Sequence, residues 1–244
     1  SFDLNSLYPH LIMQYNISPE TLQDTRHPSA TVDKILNEEL TFEMYKDNAV
    51  CANGAMYRKD VRGFLPELME LIYDERKIYK KKMLAAKQAY EKTPTKKLEK
   101  EIARCNNIQM ARKIQLNSAY GAIGNQYFRY YKLANAEAIT LSGQVSIRWI
   151  ENRMNGYLNK LLQTESVDYV IASDTDSIYL NLGPLVDKFL SSRSGDKTKV
   201  VELLDKVCQD KLEPFIERSY SELANYVQAY EQKMIMKREN IAER

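Results

Sequence analysis

The chain has 244 residues, 44% hydrophobic and 28% charged, with a formal net charge of +2. That length holds one large domain or two small ones with a real core, and no run approaches the ~20 apolar residues of a membrane span. There is no signal-peptide pattern, and Cys51, Cys105 and Cys208 lie far apart with no C-x-x-C pair; neither zinc nor a disulfide framework is indicated, and a reducing, cytoplasmic setting is the expectation.

The first 63 residues read as a strand, a short helix, then loops and short strands. Asp3 stands alone on one strand face, with Phe2 and Leu4 on the other. Tyr8 and Pro9 end that strand and open a helix expected from His10 to Tyr15. Ser18-Pro19 and His27-Pro28 punctuate the loops after that helix, and Cys51 to Tyr57 reads as a hairpin. Pro66 then opens a long helix expected from Glu67 to Tyr90, with an apolar stripe of Leu65, Leu68, Met69, Ile72, Ile78 and Tyr79. Thr93-Pro94-Thr95 breaks it, and Thr93 or Thr95 caps a second helix from Lys96 to Ala119.

The two helices form an αα-hairpin carrying most of the positive charge. From Asp74 to Lys113 there are 13 Lys/Arg and 5 Asp/Glu, a balance of +8, which leaves −6 for the rest. About half of that charge is what any solvated helix pair would carry; the remainder fits a phosphate-facing surface. Arg76 and Lys80 share a face roughly 15 Å above Pro66, and Lys113 sits roughly 10 Å up the returning helix, at 1.5 Å per residue. Antiparallel packing brings these three cations to similar heights, where they could clamp a triphosphate. Lys113, Asn117 and Tyr120 fall at i, i+4 and i+7 on one helical stripe.

A third long helix is expected from Ala136 to Leu162. Ile139, Ile147, Ile150, Met154, Tyr157, Leu158 and Leu161 line its buried side, and Trp149 is read as core. Residues 168–182 then read as a tight hairpin with Asp174 and Asp176 at its turn. Like charges so close repel, and Mg²⁺ is the usual remedy. A polar loop (Ser191 to Thr198), a helix from Lys199 to Tyr230 interrupted near Pro214, and a strand from Lys233 to Met236 complete the chain.

A lone D-x-D is most simply a pair of turn formers. Here it is accompanied by an acid at a strand end and a Lys/Asn/Tyr helical stripe, a combination that fits phosphoryl transfer on a nucleotide. The three segments resemble motifs A, B and C of family B DNA polymerases: Asp3 to Pro9 as D-x-x-S-L-Y-P, Lys113 to Gly121 as K-x-x-x-N-S-x-Y-G, and Asp174 to Ser177 as D-T-D-S. Their order and spacing match, and the similarity runs over essentially the whole chain. Asn16 to Leu22, Gly121 to Asn125 and Phe128 to Tyr131 are most similar to the replicative polymerases of T-even-type bacteriophages.

The resemblance implies an α+β fold: an antiparallel-sheet palm backed by helices (1–63 and 126–244), with an inserted αα-hairpin as fingers (64–125). The exonuclease, N-terminal and thumb regions of the family are not represented. It implies DNA replication chemistry, with primer–template DNA and dNTPs as substrates, a sliding clamp among the partners of the parent, and no membrane. Asp3, Asp176 and the Leu4 carbonyl would hold two Mg²⁺ (Mn²⁺ substituting) about 3.5–4 Å apart; Asp174 would tune that site. Ser6 and Leu7 would offer backbone N–H groups to phosphates, beside Arg76, Lys80, Lys113 and Asn117. Lys113 is the expected general acid for pyrophosphate release. Tyr8 resembles the steric gate against a 2′-hydroxyl. Asn117 and Tyr120 would face the nascent base pair, where Gly121 allows close approach.

Four residues depart from the pattern or add to it. Glu239 matches an acidic position near the family's active site, but Lys237 stands where the phage enzymes carry an acid. His10 replaces a small residue after Tyr-Pro and reads as a packing or surface residue. Ser173 stands where glycine is common. The alternatives are a protein-primed family B polymerase, for whose insertions the intervals leave little room, and a fragment that binds metal, nucleotide or DNA without turnover.

Overall fold

The computed structural model describes residues 1–189 and 197–242. A short strand, β1 (Phe2–Leu4), leads into α1 (Leu7–Tyr15). This helix starts three residues before the expected His10, because Pro9 sits in the first turn, where its missing N–H costs no helical bond. A five-residue helix α2 (Val32–Leu36), unforeseen in the sequence, is capped by the Thr31 side chain, which accepts the Lys34 N–H. The expected hairpin forms as β2 (Asn48–Val50) and β3 (Met56–Arg58).

Two long helices come next, α3 (Phe64–Lys92) and α4 (Lys96–Ile123). Of the two threonines the sequence offered, Thr95 caps α4 by accepting the Leu98 N–H. The two helices pack mainly on each other, so only a narrow line of side chains is buried: Leu65, Pro66, Met69, Met83 and Ala86 on α3, Cys105, Gln109, Leu116 and Ile123 on α4. The expected stripe is corrected in two places. Leu68 and Ile78 are exposed, since at about 100° per residue Ile78 falls on the far side from Leu65 and Met69.

Helix α5 (Leu133–Leu162) crosses the middle of the molecule, packing on α1, α2 and α8. Its Ile139, Ile150, Met154 and Leu158 are buried, as is Trp149, whose indole N–H donates to the Ser219 carbonyl at 2.9 Å. The second hairpin, β4 (Val170–Asp174) and β5 (Ser177–Leu180), is next in the chain. After it come α6 (Gly183–Phe189) and α7 (Lys197–Val207). The polar loop expected from Ser191 to Thr198 lies largely outside the described residues; Lys197 and Thr198 already belong to α7. The interruption near Pro214 is a widened, π-type turn over Cys208–Leu212, after which α8 (Glu213–Tyr226) begins with Pro214 in its first turn.

The last strand, β6, spans Met236–Arg238 rather than Lys233 to Met236. The Gln14 and Gln232 side chains accept the Lys233 and Met234 N–H groups at 2.9 and 2.7 Å. Those backbone donors are therefore taken before the chain reaches the sheet.

Four of the strands assemble into an antiparallel sheet in the order β4-β5-β1-β6, and β2 and β3 pair as a separate two-stranded sheet. The first strand of the sequence is thus central, flanked by two from the far end. Phe2, Leu4, Ile178 and Met236 are buried against the helices, giving an α+β architecture. No helix among the described residues is long and apolar enough to cross a membrane.

The base of the α3–α4 pair is fixed by one buried side chain. Asn16 donates to the Arg58 and Val61 carbonyls, both at 2.8 Å, and accepts the Gly63 N–H at 2.8 Å. Its own φ of 57° suits asparagine better than alanine. Asn16→Ala is therefore expected to cost about 3 kcal/mol, since it strands buried groups; urea unfolding measures it.

Candidate active site

The site forms where β1 meets the β4–β5 turn and the start of α1. Asp3 lies opposite Ser177 on β5, and Ser177 opposite Asp174 on β4. The turn between the latter two consists of Thr175 and Asp176, with Thr175 at φ 23°. The Leu4 N–H donates to the Asp176 carbonyl at 2.7 Å, tying the end of β1 to the turn. Asp176 thus sits in the turn itself, not in strand alternation with Asp174. Helix α5 aims the hairpin: the Asn155 side chain accepts the Tyr169 and Val170 N–H groups (2.8 and 3.1 Å) and donates to Asp168 at 2.8 Å. The sequence carried no signal for that role.

The electrostatics arise from this crowding. Partial burial, then the Asp176 and Glu239 charges, push the Asp3 carboxyl up from 3.8 to about 6. Asp176 is also raised, by burial first and then by Asp174 and Glu239. Glu239 therefore acts on both acids. Lys237, opposite Asp3 on β6, does not neutralise them directly: its ammonium pairs with Glu213 at 2.6 Å.

Beyond Leu4 the chain turns sharply. Ser6 adopts φ 50° and ψ 61°, then α1 begins. Tyr8 projects from its first turn, and its ring lies 4.6 Å from that of Tyr120 on α4, centroid to centroid. Gly143 of α5 lies behind: a Cβ there would come within 3.8 Å of the Tyr8 ring and 3.4 Å of Leu11. From α3, Arg76 donates to the Ser6 hydroxyl at 3.4 Å, and the Tyr73 hydroxyl takes a hydrogen bond from the Asn5 amide. Neither Asn5 nor Tyr73 stood out in the sequence, because an Asn in a turn and a Tyr on a helix are ordinary.

The helix pair is bridged by Glu75 and Arg112 at 2.7 Å. Arg76 and Lys113 are the next residues in sequence after these two, so they stand at one height on adjacent helices. Lys80, Lys113 and Asn117 are exposed, and Arg76 is half-buried. A Cβ on Gly121 would meet no atom within 4 Å, so nothing within this chain requires glycine there. Among the described residues no group of three or more His, Cys, Asp or Glu is gathered as a ready metal cage.

A four-stranded sheet, two crowded carboxylates and a basic helix pair thus lie side by side, and comparison with known sequences gives the family. Residues 1–217 match the family model of DNA polymerase family B, and the chain belongs to that family. It is 35% identical to the DNA-directed DNA polymerase of Escherichia phage RB69 over 99% of its own length and 31% of that protein's. The DNA-directed DNA polymerase of Enterobacteria phage T4 gives the same 35%, again over 99% and 31%. A DNA polymerase of Pyrococcus glycovorans is 31% identical over 75% of this chain and 19% of its own. The chain thus spans about a third of the length of the phage relatives.

Proposed function

We propose that this chain is the palm and fingers of a DNA-directed DNA polymerase, with residues 1–63 and 126–244 as palm and 64–125 as fingers. It transfers a deoxynucleotide to a primer 3′-hydroxyl on a template. The observation that carries the reading is the apposition of Asp3 and Asp176 beside an α1 N-terminus that Arg76 approaches from the helix pair.

Two carboxylates of raised pKa fit Mg²⁺, which takes one or two protein carboxylates and completes its shell with water and substrate phosphates. Asp3, Asp176 and the Leu4 carbonyl would hold the two ions, or Mn²⁺ in their place, with Asp174 and Glu239 shaping the local charge. When bound, such metals acidify an attacking hydroxyl and neutralise charge on the phosphates. The chain's own groups do the rest. Ser6 and Leu7 N–H groups at the α1 N-terminus, with Arg76, Lys80 and Lys113, bind and align the triphosphate. Lys113 gives a proton to the departing pyrophosphate. Tyr8 walls the sugar, and Asn117, Tyr120 and Gly121 border the nascent base pair.

The test is primer extension by the purified chain with Mg²⁺ and four dNTPs. A ladder of template-directed products is expected; no extension together with no dNTP binding to a primer–template complex refutes the reading. The 31% coverage of the phage relatives favours a second reading, in which the chain binds DNA weakly and turns over little by itself. Its signature is primer–template affinity that falls steeply between 50 and 200 mM salt, by about 10³-fold or more if six phosphates are contacted.

A further inference from the structure

His10 stands one helical turn after Ser6 in α1, and only 3% of it is exposed. Its imidazole is not idle packing. Nδ1 lies 2.9 Å from the Ser6 carbonyl oxygen. A carbonyl can only accept, so Nδ1 carries the hydrogen. The same oxygen also receives the His10 main-chain N–H at 3.2 Å. Two donors from one residue therefore hold a single carbonyl.

That carbonyl belongs to the peptide joining Ser6 to Leu7, and a trans peptide is rigid and planar. Its C=O and N–H point in opposite directions. Fixing the Ser6 oxygen inward along α1 fixes the Leu7 N–H outward from the helix N-terminus, where first-turn N–H groups have no intrahelical acceptor. Ser6 needs such restraint, because φ 50° is an unfavourable region for a residue with a side chain.

The imidazole is itself held from α3. The Tyr73 ring meets it edge-on, with centroids 4.6 Å apart at 86°, while the Tyr73 hydroxyl binds the Asn5 amide. One tyrosine of the helix pair thus touches residues on both sides of the Ser6–Leu7 peptide. Lys77 lies over the Tyr73 ring, 5.4 Å from its centroid.

We propose that His10 is a positioning residue for the incoming triphosphate: its Nδ1–H locks the Ser6–Leu7 peptide so that the Leu7 N–H faces the phosphates, and Tyr73 holds the imidazole in register with α3. The inference rests on the polymerase reading and adds to it a residue that departs from the family's pattern at this position.

Two substitutions separate the hydrogen bond from the packing. His10→Phe keeps a ring against Tyr73 and loses the donor. His10→Asn loses the ring, but its Nδ2 falls near where Nδ1 stood. In single-nucleotide extension, His10→Phe is expected to raise the dNTP KM about tenfold while kcat stays within about threefold, the size of misaligning one hydrogen bond from the Leu7 N–H to a phosphate that ground and transition states share. His10→Asn is expected to restore most of that loss. An unchanged KM in His10→Phe, or an Asn variant impaired more than the Phe variant, overturns the proposal. Should His10→Phe fail to fold, Tyr73→Leu replaces it; a severalfold KM rise is expected, and none overturns the proposal.

A readout independent of turnover comes from ¹⁵N spectra of histidine-labelled protein. The chain has only two histidines, so a His27→Asn variant assigns the signals. A protonated Nδ1 on neutral His10 is expected, and the Nε2–H tautomer overturns the proposal. A parent chain that neither extends a primer nor binds a dNTP defeats the polymerase reading and this role with it, whereas an active chain with an indifferent His10 defeats the role alone.

Discussion

Asp176→Ala is expected to lower nucleotide incorporation by at least about 10³-fold, about 4 kcal/mol in the barrier, while primer–template affinity stays within about twofold. The Asp3 and Asp176 carboxylates converge because the Leu4 N–H is bonded to the Asp176 carbonyl. That backbone bond survives the substitution, so what disappears is charge and not the shape of the site. A second effect has the opposite direction. Asp3 is raised from 3.8 to about 6, by burial and then by Asp176 and Glu239. A folded-state pKa above the unfolded value means that ionising Asp3 opposes folding, so this group's contribution falls as pH rises from about 4 to about 6. Removing Asp176 relieves part of that opposition. In metal-free buffer the variant is therefore expected to melt higher than the parent at pH 8, with the gap closing at pH 4. Single-turnover extension and melting curves with EDTA check both halves. A variant that is inactive and also less stable at pH 8 would mean a misfolded site.

Tyr8→Ala is expected to reduce discrimination against ribonucleotides by about 10²-fold, equivalent to about 2.7 kcal/mol at 1.36 kcal/mol per decade. The proposed mechanism is a wall, and a wall works only if it cannot move. The Tyr8 ring is held by Tyr120 at 4.6 Å and by the close approach of α5 at Gly143. On the proposed reading, a 2′-hydroxyl arriving at that face would meet a ring backed by these neighbours, and the repulsive contact would give the selectivity. Alanine opens the space. Tyr8→Phe keeps the wall and should keep most of the discrimination, because the phenol is not the selecting group. The ratio of kcat/KM for dATP and ATP on the same primer–template measures each variant, and equal ratios in parent and Tyr8→Ala would exclude the gate.

Local signals carried the motifs and the long elements. The Thr95 cap, the β4–β5 turn and the long apolar face of α5 were readable because each depends on residues within a few positions of one another. Register was not readable. That Asp3 faces Ser177 and Lys237 is a fact about partners far away in the chain. The shift of β6 was hidden for the same reason: Gln14 reaches across the fold to take the Lys233 N–H. Ile78 was misassigned because one apolar residue on a helix gives no direction until the partner helix is known. His10 was legible as a departure from the motif, but its bond to Ser6 depends on a tautomer and a rotamer, and residue type specifies neither.

The position of β1 in the sheet has a consequence for how the molecule comes into being. Phe2 leaves the ribosome long before either strand that flanks it, since those strands meet it through Ile178 and Arg238. At 5–20 residues per second the two edges of β1 stay without partners for roughly 10 to 50 s of synthesis. The strand that carries Asp3 is then a free template for wrong pairing, and its brevity, three residues, limits that hazard. The acids meet only when the chain closes on itself. The apposition of the two acids is therefore acquired late in folding, and long-range pairing of this kind is slow.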